Sequence, residues 1–157
     1  MRVSSISSTW LDYPDNYNLA TILYTVGCDI KCKGCQNQEF QSYDNPKYPE
    51  VTVDSLYNTL KAYTNATRSN KVVLEGGEPL SKYNIDCVRE FLLIPDFDFC
   101  VYTGYSIDYV IRNGISGAKF YKCGAYIGEL KDTRYPRMMK DSYFHLVTKS
   151  YITKSMS

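Results

Sequence analysis

The sequence predicts an α/β chain built on a mostly parallel sheet, and three observations carry that expectation. Apolar, β-branched runs recur at 19–26, 71–75, 98–105 and 118–124, and stretches of helical spacing lie between them. The residues with the most chemistry lie at or just beyond the ends of the first three runs: a cysteine loop, "GGEP" and "YTGY". Strands alternating with helices in this way call for right-handed crossovers, which place the loops after the strands on one functional rim.

Each element follows from its own residues. "LATILYTV" (19–26) alternates partially and stops at Gly27, so the cysteine loop begins where a strand ends. Residues 41–50, "QSYDNPKYPE", form a polar loop with two prolines. Thr52 then caps a helix whose apolar positions Val53, Leu56, Leu60 and Tyr63 recur at helical spacing, with Asp54 at the positive end of its dipole. "KVVLE" (71–75) is a short buried strand broken by "GGEPL", and Ser81 precedes a helical pattern through Ile85, Val88 and Leu92. "DFCVYTGY" (98–105) is a third strand. Ser106 caps a short helix carrying Ile107, Val110 and Ile111, and Asn113–Gly114 ends it. "AKFYKCG" (118–124) is a fourth strand, and "YFHLVTKSYIT" (143–153) is read as a last one whose place in the sheet the sequence leaves open.

Composition narrows the function classes. A chain of 157 residues fits one domain over residues 1–157, with no repeat or linker-like stretch. Eighteen basic against 17 acidic residues leave no excess for neutralising phosphates, so no nucleic-acid partner is expected. No apolar run approaches membrane-spanning length and "MRVSSISSTW" lacks a signal-peptide core, so a cytoplasmic protein with no membrane partner is expected.

In a reducing compartment the six cysteines are read as thiols or metal ligands rather than disulfides. Cys87, Cys100 and Cys123 stand singly among apolar neighbours and are read as core residues. Cys28, Cys32 and Cys35 fall within eight positions of "TVGCDIKCKGCQNQEF". Three soft thiolates on a compact loop suit adjacent iron corners of a cubic cluster. Zinc would ask for a second cysteine pair or a histidine, and the sole histidine, His145, is far downstream. Zinc completed by a distant residue stays as an alternative. A ferredoxin-like carrier would want a fourth nearby cysteine, which is absent, so one iron corner is left for a small molecule.

Cys-x3-Cys-x2-Cys after one strand and Gly76-Gly77-Glu78-Pro79 after the next resemble the radical S-adenosylmethionine enzymes. The resemblance implies an open, partial (β/α) barrel and a 4Fe-4S cluster on Cys28, Cys32 and Cys35, with the amino and carboxylate groups of S-adenosylmethionine on the fourth iron. It further implies that a cluster electron breaks the sulfonium bond, yielding a 5′-deoxyadenosyl radical that removes a substrate hydrogen. Gly76 and Gly77 would let backbone carbonyls approach the cofactor, and Glu78 would meet its ammonium. Gly34 and Gln36, flanking Cys35, match positions that contact the nucleotide end.

Within that superfamily "CKGCQN", "GGEPL" and "YTGY" are most similar to the glycyl-radical-enzyme activases, especially those serving anaerobic ribonucleoside-triphosphate reductase. "KCGAYIGELKD" (122–132) is a weaker match to a later segment. The partners implied are that reductase and an electron donor such as flavodoxin or ferredoxin. Two stretches depart from the pattern, "LDYPDNYN" at 11–18 and "TRYPRMMKDSYFHLV" at 133–147. A small-molecule radical enzyme, such as one making deazapurine precursors, shares both motifs. A non-enzymatic zinc or iron–sulfur module would leave "GGEP" as a mere turn. Tyr102 and Tyr105 are read evenly as pocket-lining or packing residues, and no role is assigned to His145, Arg137 or Lys140.

Overall fold

The computed structural model describes residues 1–14 and 19–126, and beyond them the backbone of three short strands at 131–132, 138–139 and 143–146. Strand β1 (Arg2–Thr9) is followed by β2 (Ala20–Val26), a 3-10 turn (Gln38–Phe40), α1 (Val53–Thr67) and β3 (Lys71–Gly76). Next come α2 (Ile85–Phe91), β4 (Asp98–Thr103), α3 (Ile107–Arg112) and β5 (Phe120–Cys123). The short strands β6 (Lys131–Asp132), β7 (Met138–Met139) and β8 (Tyr143–Leu146) complete the order.

The main sheet has the order β1-β2-β3-β4-β5-β8. Strands β2 to β5 run parallel, while β1 and β8 add antiparallel edges. The sheet is open, in keeping with a partial barrel, and the fold is α/β as expected. Thr52 caps α1 by accepting from the Ser55 amide, and Ser106 caps α3 by accepting from the Tyr109 amide, as their sequence positions predict. Helix α2 starts later than the pattern suggests: Ser81 begins a turn, and buried Asn84 stands at the cap.

Sequence reading passes over β1, and its residues explain why. "RVSSISST" carries only Val3 and Ile6 as apolar residues, three apart, which is not the spacing of one strand face. The register shifts between Val3 and Ser5, and the extra residue turns both side chains toward the same core.

Period-two alternation divides the parallel strands between two cores. Leu23, Val72, Leu74, Phe99, Val101 and Tyr121 pack under all three helices with Leu60, Val88, Phe91 and Val110. On the opposite face Ile22, Val73, Cys100 and Phe120 lie in one lateral row and gather around buried Tyr13. Cys100 and Cys123 are core residues, and Cys87 packs at the core's margin. Among the described residues no helix is long and apolar enough to cross a membrane.

One step toward the strand ends, the inner face changes character. Tyr24 pairs with Glu75 and Tyr102 with Lys122, giving a polar row above the apolar one. Glu75, Tyr102 and Lys122 of that row form the floor of the site.

Candidate active site

Strands β2, β3, β4 and β5 end side by side, and their C-terminal loops surround an open cavity. Cys28, Cys32 and Cys35 face it from the loop after β2; Gly76, Gly77 and Glu78 face it from the turn after β3. Two motifs some forty residues apart in sequence thus share one space.

The cysteine loop closes on itself where it leaves the sheet. The Gly27 amide donates to the Phe40 carbonyl (2.7 Å) and the Cys28 amide to the Gln41 carbonyl (2.9 Å). Between these ends the loop is held sparingly, with Lys31 at φ 53° and Lys33 and Gly34 exposed. Asp29 ties it to the neighbouring strand ends by accepting from the Tyr105 hydroxyl and the Lys82 amide. Burial holds the Cys28 thiol above its ordinary pKa, so its deprotonation is left to whatever metal it binds. The three thiols line one cavity, and three soft donors around a common space are the ligand chemistry that an iron–sulfur cluster uses.

The turn after β3 is built differently. Gly76 has φ +113°, and a Cβ there would stand 2.5 Å from the Thr25 backbone. A Cβ on Gly77 would stand 2.7 Å from the Gly27 carbonyl oxygen, so this pair must be glycine for the turn to lie against the cysteine loop's entrance. Glu78 is 2% exposed. Its Oε1 accepts from the Thr103 hydroxyl (2.7 Å) and the Leu80 amide (3.0 Å), and Oε2 from the Gly104 amide (2.7 Å). Burial raises its pKa to about 7 against the lowering effect of those donors. The carboxylate therefore staples the β3 turn to the end of β4, and Oε2, with a single donor among the described residues, keeps an acceptor site for a cation.

The other expected residues fall as follows. Gln36 lines the cavity, whereas Gly34 lies outside its lining, in open space at φ +70°. Tyr102 lines the cavity and donates to the Asp12 carbonyl (2.8 Å), which anchors the divergent stretch 11–14 to the sheet. Tyr105 is outside the lining and stacks on Tyr109. Residues 15–18, 127–130, 133–137 and 147–153, with the side chains of Arg137, Lys140 and His145, lie outside the described residues.

Sequence reading passes over Glu75 and Lys122, both on the cavity floor. A charged residue near the C-terminal end of an otherwise apolar strand is the signal that finds them. The Lys122 ammonium lies 5.2 Å from the centroid of the Tyr102 ring; burial lowers its pKa, opposed by the negative charge of Glu75.

The chain is similar to several characterised proteins. It is 32% identical over 92 residues to the anaerobic ribonucleoside-triphosphate reductase-activating protein of Haemophilus influenzae, covering 55% of this chain and 58% of the relative. It is 38% identical over 69 residues to a pyruvate formate-lyase-activating enzyme of Staphylococcus aureus (42% of this chain, 27% of the relative). To the 7-carboxy-7-deazaguanine synthase of Aquifex aeolicus it is 34% identical over 67 residues (43% and 27%). The chain spans about half the length of the reductase-activating proteins it matches. The model of the family described as the 4Fe-4S single cluster domain matches residues 19–137. These relatives and that family imply a 4Fe-4S cluster and S-adenosylmethionine as cofactors. The chain belongs to the 4Fe-4S single cluster domain family, within the radical S-adenosylmethionine superfamily.

Proposed function

We propose that this chain, as a single radical S-adenosylmethionine domain over residues 1–157, is a cytoplasmic activating enzyme that generates a glycyl radical in an anaerobic ribonucleoside-triphosphate reductase. The observation that carries the proposal is the opening of the three cysteines and the Gly76–Gly77–Glu78 turn into one cavity. The reductase-activating relatives support the choice of partner.

In this reading Cys28, Cys32 and Cys35 hold the cluster, whose chemistry when bound is the one-electron cleavage of the sulfonium of S-adenosylmethionine. The remaining work belongs to the chain. Backbone carbonyls at Gly76 and Gly77 approach the cofactor's ammonium, and Glu78 Oε2 meets it as a charged acceptor. Gln36, on the cavity wall beside Cys35, faces the nucleotide end, with Gly34 shaping the loop. Glu75, Tyr102 and Lys122 close the floor and limit water beneath the reacting groups. An electron donor such as flavodoxin or ferredoxin supplies the electron.

A second reading, a small polar substrate in place of a protein glycine, is favoured by the charged floor at Glu75 and Lys122 and by the resemblance to a deazaguanine synthase. One experiment separates the two. Reduced, cluster-loaded protein is mixed with S-adenosylmethionine and the cognate reductase, and electron paramagnetic resonance is recorded. A glycyl doublet on the reductase is the expected result; turnover of the cofactor with no such signal would favour the small molecule.

A further inference from the structure

The peptide unit joining Gly76 to Gly77 is gripped at both ends. Its N–H, on Gly77, donates to the Thr25 carbonyl of β2 at 2.8 Å. Its carbonyl, on Gly76, accepts from the side-chain amide of Asn37 at 3.1 Å. The first grip is part of the sheet, whereas the second comes from the cysteine loop, 39 positions earlier in the chain.

Asn37 is placed so that another use would be expected. It stands at the N-cap of the 3-10 turn Gln38–Phe40, where an asparagine side chain ordinarily bonds its own turn. Here it makes no such cap bond and turns across to β3 instead. Its backbone amide meanwhile donates to the Cys35 sulfur at 3.4 Å. One residue therefore touches Cys35 with its main chain and the glycine pair with its side chain.

The consequence follows from Gly76's conformation. Gly76 holds φ +113° without a side chain, so the orientation of this peptide plane is set by the two hydrogen bonds at its ends, one to Thr25 in the sheet and one from Asn37 in the cysteine loop. We propose that Asn37 is a positioning residue that couples the cysteine loop to the peptide plane receiving the cofactor's amino group. Asn37 holds the Gly76–Gly77 plane in its receptive orientation once the loop is in place, and a loosened loop releases it. This rests on the proposed cofactor site but assigns a role to a residue that the chemistry itself does not require.

The test is a binding cycle on anaerobically reconstituted protein, with iron content measured for each variant. Equilibrium dialysis gives the dissociation constants of S-adenosylmethionine and of its analogue lacking the α-amino group, for the wild type, Asn37→Ala and Asn37→Asp. Asn37→Asp keeps the shape while removing the donor. The expected result is full iron content, affinity for the complete cofactor lowered about tenfold in both variants, and affinity for the desamino analogue changed less than about twofold. Equal losses for both ligands would make Asn37 a general structural residue and overturn the proposal, as would unchanged affinity or loss of iron. A wild-type protein that binds neither ligand would remove the cofactor site itself, an outcome separate from a failure of Asn37 alone.

Discussion

The cysteine loop and the Gly-Gly-Glu-Pro turn face each other across one cavity but are built in opposite ways. The loop is mostly exposed at its tip and held there by few bonds, chiefly through Asp29 and Asn37. The turn is buried from Glu78 to Leu80: Glu78 has three donors, and the buried Asn84 side chain donates to the Val26 carbonyl at 2.9 Å. In the proposed function the loop takes in a metal cluster and is left for the cluster to order, since metal binding itself supplies folding free energy. The facing wall then offers a carboxylate to the cofactor, and three donors already hold Glu78 in place, so that acceptor needs no rearrangement when a ligand arrives.

If that contrast is right, damage to the two sides should register in different measurements. The largest effect belongs to the cysteines. Cys35→Ala should abolish cluster binding and with it activity by more than about a hundredfold, while the metal-free protein loses less than about 1 kcal/mol. Iron analysis beside a denaturant melt checks both halves, and a large loss of metal-free stability would blur the distinction.

The turn should behave in reverse. Gly76→Ala puts a Cβ against the Thr25 backbone at a positive φ and should cost roughly 3–5 kcal/mol in the metal-free protein, read as a lower denaturant midpoint. A midpoint equal to that of the wild type would show that the turn is no more fixed than the loop.

Glu78 sharpens the comparison through pH. Its pKa of about 7 in the folded protein exceeds the ordinary value of 4.5, so the native state binds this proton more tightly than the unfolded chain does. The associated stability is fully present below about pH 4.5 and is lost as pH rises through about 7, on the order of 3 kcal/mol in all. Glu78→Gln should remove that component from the stability profile of the metal-free protein. An unchanged slope between pH 4.5 and 7 would count against the buried carboxyl as its source.

The smallest effect is expected at the loop's tether. Tyr105→Phe removes the hydroxyl that Asp29 accepts from and should cost about 1 kcal/mol or less, with faster hydrogen exchange confined to the cysteine loop. Spread of that exchange into the turn after β3 would mean that the two sides are one cooperative unit.

Much of this architecture was legible because it is local. Thr52 and Ser106 cap helices through amides three positions on, and a β-branched run declares a strand within its own residues. The cysteine spacing and the glycine pair are also short-range signals. Strand β1 escaped because a bulge breaks the very alternation that reveals strands, and only pairing with β2 restores a common face to Val3 and Ile6. Glu75 and Lys122 escaped because a charge at the end of an apolar run reads as the start of a loop until neighbouring strands place it on a cavity floor.

Local sequence settles the order of elements from β2 to β5, the helix starts at Val53 and Ile107, and the residue types able to hold a cluster and meet an ammonium. Tertiary structure alone decided that Glu78 is buried under three donors and that Asn37 reaches Gly76 rather than capping its own turn. It also decided that Tyr102 and Lys122 share a row. The physical reason is range: caps and periodicity act between residues a few positions apart, whereas these contacts depend on strand register, which is settled only when the whole sheet assembles.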